Sequence, residues 1–284
     1  MQIQPFLRRP INKLSGLALS LIFLSGVAAK MSPAVAEIVI APHRAAYSLT
    51  LKRTGRDSAI SNANGAMVYS WGETCDGWTV DQQFVLNVVQ GDGRTVQLNA
   101  RSSTWESKDG KRLRFNIKRE RNGVEVEKIR GEGLLEEVNG AGVAEFEFPK
   151  VKTIPLPKGT VFPTMHTLKL MQRAQEGKMT DRQLLFDGSD LEPPGPVFAF
   201  ILPLKQPKAP NKALEVPLGP NKIRTVNLAF FNADPKRTEP EFEMSIQLQD
   251  NGIAPSMFLD YGGYAVQGEL ARVEALEKPD CLRE

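Results

Sequence analysis

Between His43 and Phe148, four turn dipeptides punctuate runs of alternating apolar and polar residues: Asp92-Gly93, Asp109-Gly110, Asn122-Gly123 and Asn139-Gly140. Asn-Gly and Asp-Gly readily take the left-handed backbone of tight hairpin turns, whose twist matches that of paired strands. Alternation puts one face of each run in a core and the other in water. Tyr47, Leu49 and Leu51 share a phase, as do Trp78, Val80, Phe84, Leu86 and Val88, with Gln82 the single polar break. Val96-Leu98-Ala100, Leu113-Phe115-Ile117, Val124-Val126 and Ala144-Phe146-Phe148 follow. No helical period separates these runs, which excludes parallel βαβ units. Long antiparallel strands with one apolar face must curl or stack to bury it. The expected fold is therefore mainly β: one large antiparallel sheet of roughly a dozen or more strands, curled into an incomplete barrel.

The pattern changes once. After Pro163, Met165, Leu168, Leu170, Met171 and Ala174 form an apolar stripe at helical spacing. The spacing predicts one amphipathic helix over about 164–177, with Thr164 as N-cap and Gly177 as the left-handed stop. A lone helix among strands covers one face or the mouth of the sheet, so Met165, Leu168 and Met171 are candidate pocket residues. Alternation resumes in Phe198-Phe200-Leu202-Leu204, Val226-Leu228-Phe230, Phe242-Met244-Ile246-Leu248 and Met257-Leu259-Tyr261. Between them, Pro207, Pro210, Pro217 and Pro220 break any ladder, and Lys205, Lys208 and Lys212 solvate the segment. Residues 205–221 are expected to be an exposed loop.

Residues 1–36 have the form of an export signal. Arg8, Arg9 and Lys13 precede the apolar run 14–29, and Ala34-Val35-Ala36 is a small-residue cleavage site. The run is short for a membrane span and no second one follows, so no transmembrane segment is expected after removal of the signal. Cleavage is expected to leave a single exported domain, 37–284. It also removes four basic residues and no acid, leaving 32 of the 36 Lys and Arg against 33 Asp and Glu. The basic balance belongs to the signal, and nucleic-acid binding has no support. Arg112, Arg114 and Lys118 are the wet face of the strand holding Leu113, Phe115 and Ile117. Cys75 and Cys281, far apart in an exported chain and without a C-x-x-C spacing, read as a structural disulfide joining an early hairpin to the C-terminal tail. The first and last strands should then be neighbours.

No residue set announces a reaction. His43 and His166 are the two histidines, and neither they nor the cysteines have metal-ligand spacing. His166, in the first helical turn, is a candidate polar site, read as a neutral ring hydrogen-bonded to backbone. Ser189 lacks a nucleophile-elbow context, and Asp187 and Asp190 occupy a turn where Asp is favoured. No phosphate, dinucleotide or calcium loop occurs, so neither cofactor nor metal is expected. Trp78 is in phase with a core face, whereas Trp105 falls out of phase with Val96-Leu98-Ala100, as at a bulge or an outward aromatic.

Five landmarks recur in order: His43-Arg44-Ala45-Ala46-Tyr47-Ser48-Leu49-Thr50-Leu51, Cys75-Asp76-Gly77-Trp78, Phe162-Pro163-Thr164-Met165-His166-Thr167, Leu185-Phe186-Asp187-Gly188-Ser189 and Asp260-Tyr261-Gly262. With a cysteine at the far C-terminus, they resemble the EipB family of alphaproteobacterial periplasmic proteins, which act in cell-envelope integrity. The resemblance implies a β-spiral similar to lipoprotein carriers of the LolA and LolB type and to envelope-stress sensors, with a Cys75–Cys281 disulfide. It also implies a non-enzymatic role in resistance to envelope stress and a link to a periplasmic tetratricopeptide-repeat partner. The leading expectation is an envelope protein that acts through a protein partner. A lipid or lipoprotein carrier with an apolar cavity under the helix is the alternative, and an envelope hydrolase using His166 or the Asp187/Asp190 turn is the third.

Overall fold

A computed structural model describes residues 38–56, 58–204 and 222–281. The signal region and the proline-rich stretch 205–221 lie outside the described residues. The first half is a meander of eight strands: β1 (His43–Thr54), β2 (Ile60–Glu73), β3 (Gly77–Gln90), β4 (Thr95–Ser107), β5 (Arg112–Arg121), β6 (Val124–Leu135), β7 (Gly142–Phe148) and β8 (Lys152–Leu156). The short β9 (Thr160–Val161) leads into helix α1 (Pro163–Gln175). The second half then runs through β10 (Thr180–Leu185), β11 (Gly195–Ile201), β12 (Ile223–Phe230), β13 (Phe242–Gln249), β14 (Ser256–Asp260) and β15 (Tyr264–Ala275). Each of the four turn dipeptides sits in a hairpin connection. Asn122-Gly123 alone is a two-residue turn, with both residues at positive φ, between the paired Arg121 and Val124.

All fifteen strands form one sheet in the order β8-β7-β6-β5-β4-β3-β2-β1-β15-β14-β13-β12-β11-β10-β9. The first strand pairs with the last, His43 opposite Ala275, so both arms of the meander grow outward from that seam. The free edges β8 and β9 are joined by residues 157–159, so the sheet is curled almost full circle. This is the incomplete barrel expected from the alternation. The one parallel pair among the described residues, β9 with β10, is bridged by α1 as a crossover connection requires.

The curled sheet encloses its core. One cluster joins Tyr47, Leu49, Met67, Leu86, Met257 and Val266 across β1–β3 and β14–β15. A second gathers Leu113, Phe115, Ile117, Ile129, Phe146 and Phe162 around Phe186, whose ring meets those of Phe115, Phe146 and Phe162 edge-on. The Phe115 ring also explains the turn after β10: Gly188 has φ +73°, and a Cβ there would stand 2.4 Å from that ring.

The helix packs on two walls of the sheet with one side, Gln172 and Gln175, left exposed. Leu170 and Ala174 pack on Val197, Ala199 and Val226 of β11 and β12, whereas Met171 and Leu168 pack on Ile40, Trp71 and Val80. It ends as expected: Gly177 is left-handed (φ +71°), with Gly177 N–H donating to Ala174 O and Lys178 N–H to Arg173 O. Its start differs. The helix begins at Pro163, the cap position is Phe162, and no side chain of its own segment caps it, so Thr164 is not the N-cap. Glu106 of β4 takes that role, its two carboxylate oxygens accepting from Thr164 N–H at 2.6 Å and Met165 N–H at 2.8 Å. The first turn of α1 has no acid of its own, and the strand supplies the acceptors that the free amides of the helix N-terminus need.

Candidate functional site: a polar cavity beside the helix

Cross-strand register builds a cavity of about 340 Å³ beside the start of α1. Tyr69, Gln82, Ser102 and Ile117 stand directly opposite one another across β2, β3, β4 and β5, so their side chains share the inner face. The next row holds Trp71, Val80 and Thr104, and the row beyond Gln82 holds Ala100 and Arg119. All of these line the cavity, with Pro163, Thr164 and Thr167 of α1 facing them and Asp187 and Ser189 contributing from the turn after β10. The one polar break in the β3 pattern, Gln82, thus meets the inward Ser102 and Thr104 of β4.

Electrostatics at the cavity are mostly settled within the protein. Arg119 donates to Ser189 O at 3.1 Å and pairs with Glu127. Behind Thr164, the Glu106 carboxyl is pushed up to about 7, because burial outweighs the amides of Thr164 and Met165 and the Thr164 hydroxyl. Tyr69 is raised by burial as well.

The candidates singled out in the sequence are dispersed. Met165, Leu168 and Met171 do not line the cavity; Met165 lies against Gly110, and the other two pack in the cluster with Trp71. His166 is buried among α1 and β10, and burial brings it down to about 4 despite nearby Asp181. Burial favours the neutral ring, but its Nε2 has no hydrogen-bond partner among the described residues, so the expected bond to backbone is not seen there. His43 is held by its Nδ1 against Ala41 O at 2.7 Å. Asp187 and Asp190 accept from Ser189 N–H and Glu192 N–H, the bonds of ordinary Asx turns. Trp105 points outward under the Arg114 guanidinium, without a bulge in β4. Cys75 and Cys281 are joined, with Cα atoms 5.6 Å apart, and the tail reaches the β2–β3 turn past Pro42, whose carbonyl accepts from Leu276 N–H. Glu106 went unnoticed in the sequence. Strict alternation from Leu98 through Ser102 and Thr104 places it inward, and an inward acid needs partners.

A nearly closed antiparallel sheet, stapled through its tail and packed against one helix, makes this a barrel-like β protein of a kind that offers surfaces and a cavity. The chain belongs to the EipB-like family, whose model matches residues 34–277. It is 30% identical over 257 residues to the cell envelope integrity protein EipB of Brucella abortus, covering 89% of this chain and 90% of that one. It also resembles the crystal structure of a beta-barrel-like protein of a domain of unknown function from Brucella abortus. That match has a TM-score of 0.77 and 29% identity, over 84% of this chain and all of the other.

Proposed function

We propose that the protein is an exported, non-enzymatic component of the cell envelope that supports envelope integrity and stress resistance by binding a protein partner in the periplasm. The observation that carries the reading is kinship, over nine-tenths of its length, with a protein named for envelope integrity. One structural feature supports it. On the outer face of β11, Phe198 and Phe200 are 44% and 48% exposed. Exposed aromatic rings of this kind mark interaction surfaces. The partner class proposed is the tetratricopeptide-repeat type implied by the family. A lipid or lipoprotein carrier would need an apolar cavity, and the cavity beside α1 mixes its apolar surface with an amide, several hydroxyls and two guanidinium groups, each costly to desolvate against an acyl chain.

The test is complementation of a deletion strain under detergent or cell-wall-antibiotic stress. Wild-type protein restores growth and crosslinks to a repeat-containing periplasmic protein. The Phe198→Ser/Phe200→Ser variant, folded with an unchanged unfolding midpoint, loses both. Full rescue by that variant would show that the β11 face is not the partner surface, and a deletion without any envelope defect would remove the reading itself.

A further inference from the structure

We infer that the cavity beside α1 is a binding site for a neutral saccharide unit, a ligand that neither kinship nor the partner-binding reading assigns. The argument begins with unused hydrogen-bonding capacity. The Tyr69 hydroxyl, the Gln82 amide and the hydroxyls of Ser102 and Thr104 all line the cavity, and none of these side chains hydrogen-bonds to a described residue. None of these four groups is a buried atom without a partner, so water reaches them in the cavity, and a ligand that displaces it must replace those hydrogen bonds with its own. Here Tyr69, Gln82 and Ser102 stand in one cross-strand row, with Thr104 one row away, so several donors and acceptors converge on one space.

The same walls select the ligand class. Val80, Ile117 and Pro163 supply apolar surface among those polar groups. A pyranose carries both kinds of surface, hydroxyls round its rim and C–H groups on its faces. An acyl chain would leave the amide and hydroxyls unpaired. Of the two cations in the lining, Arg119 already serves Glu127 and Ser189 O and Arg101 is exposed to water, so neither is the buried free cation that an anion would need. The cavity volume of about 340 Å³ lies at the lower end of the ~300–1,000 Å³ range of small-molecule sites, which suits one sugar ring or a terminal unit of a longer glycan.

The experiment uses the mature protein and a fixed panel: glucose, maltotriose, N-acetylglucosamine and its β-1,4-linked trimer, with a fluorescent fatty acid as the lipid arm. Saturation-transfer NMR reports contact, and tryptophan emission reports occupancy, because Trp71 lines the cavity. At least one saccharide shows transfer and a saturable emission change. Gln82→Leu/Ser102→Ala weakens it tenfold or more, while Phe198→Ser/Phe200→Ser leaves it unchanged. Absence of transfer from all four sugars at millimolar concentration overturns the inference. So does equal affinity in the cavity variant, or a fatty acid that displaces the signal. Because the β11 variant tests the partner surface separately, the two proposals fail independently.

Discussion

Replacing Glu106 with alanine removes the acceptor of two buried amides, those of Thr164 and Met165, at the start of the helix that packs on the sheet. A buried donor left without a partner costs about 1–3 kcal/mol, so the pair puts the loss at roughly 2–6 kcal/mol. For a chain of this size each kcal/mol moves the unfolding midpoint by about 2–4 °C, giving a drop on the order of 10 °C. The loss depends on pH. Burial holds the Glu106 carboxyl at about 7 in the native state against 4.5 in the unfolded chain. A raised native value means that the folded protein keeps a proton the unfolded chain releases. The contribution of this group is therefore complete below about pH 4.5 and declines by on the order of 3 kcal/mol as pH rises through about 7. Thermal unfolding followed by near-ultraviolet circular dichroism at pH 5 and pH 8 measures both effects. The midpoint difference between wild type and Glu106→Ala should be larger at pH 5. A difference within ~2 °C at pH 5, or one that grows with pH, would refute the reasoning, the latter by showing that the ionised carboxylate is the form that holds the helix.

Three further outcomes follow from the same contacts. Cys75→Ser, or reduction, should lower the unfolding midpoint, because the bond closes a sequence separation of 206 residues and the chain-entropy ceiling for such a loop is roughly 5 kcal/mol; equal melting with and without reductant would contradict it. With only two histidines in the chain, NMR should resolve an imidazole titrating near 4, assigned to His166 by its loss in His166→Gln. Since its native value lies below that of the unfolded chain, stability on this account falls as pH drops from about 6.5 toward 4, and a midpoint above 6 would exclude the burial described. Leu113→Ala should cost about 2–5 kcal/mol in urea unfolding and Arg112→Ala no more than about 0.5, the contrast between the two faces of β5; similar costs would mean that the alternation is not the determinant of the inner face.

Local patterns alone carried much of this protein. Alternation and turn dipeptides have ranges of two to a few residues, so most of the strands, the hairpin order from β3 to β7 and the helix stop at Gly177 were legible in the linear chain. The inner faces were legible only in part: β11 buries Val197, Ala199 and Ile201 and leaves Phe198 and Phe200 outside, and Val124 and Val126 of β6 are exposed. Even Gln82 stood out in the linear chain as a polar interruption on an inner face. What only the folded chain decided was everything that depends on register between distant strands. The pairing of β1 with β15, the packing of α1 on two walls, the row Tyr69-Gln82-Ser102-Ile117 and the carboxylate of Glu106 at the helix start all join residues tens to hundreds of positions apart. A helix can receive its N-terminal acceptor from any neighbour that reaches it, so sequence near Thr164 pointed to a local cap while the sheet supplied a remote one. The physical reason is one of range: backbone preference acts between neighbours in the chain, whereas a cavity and its hydrogen-bonding walls exist only where closure of the sheet brings separate strands face to face.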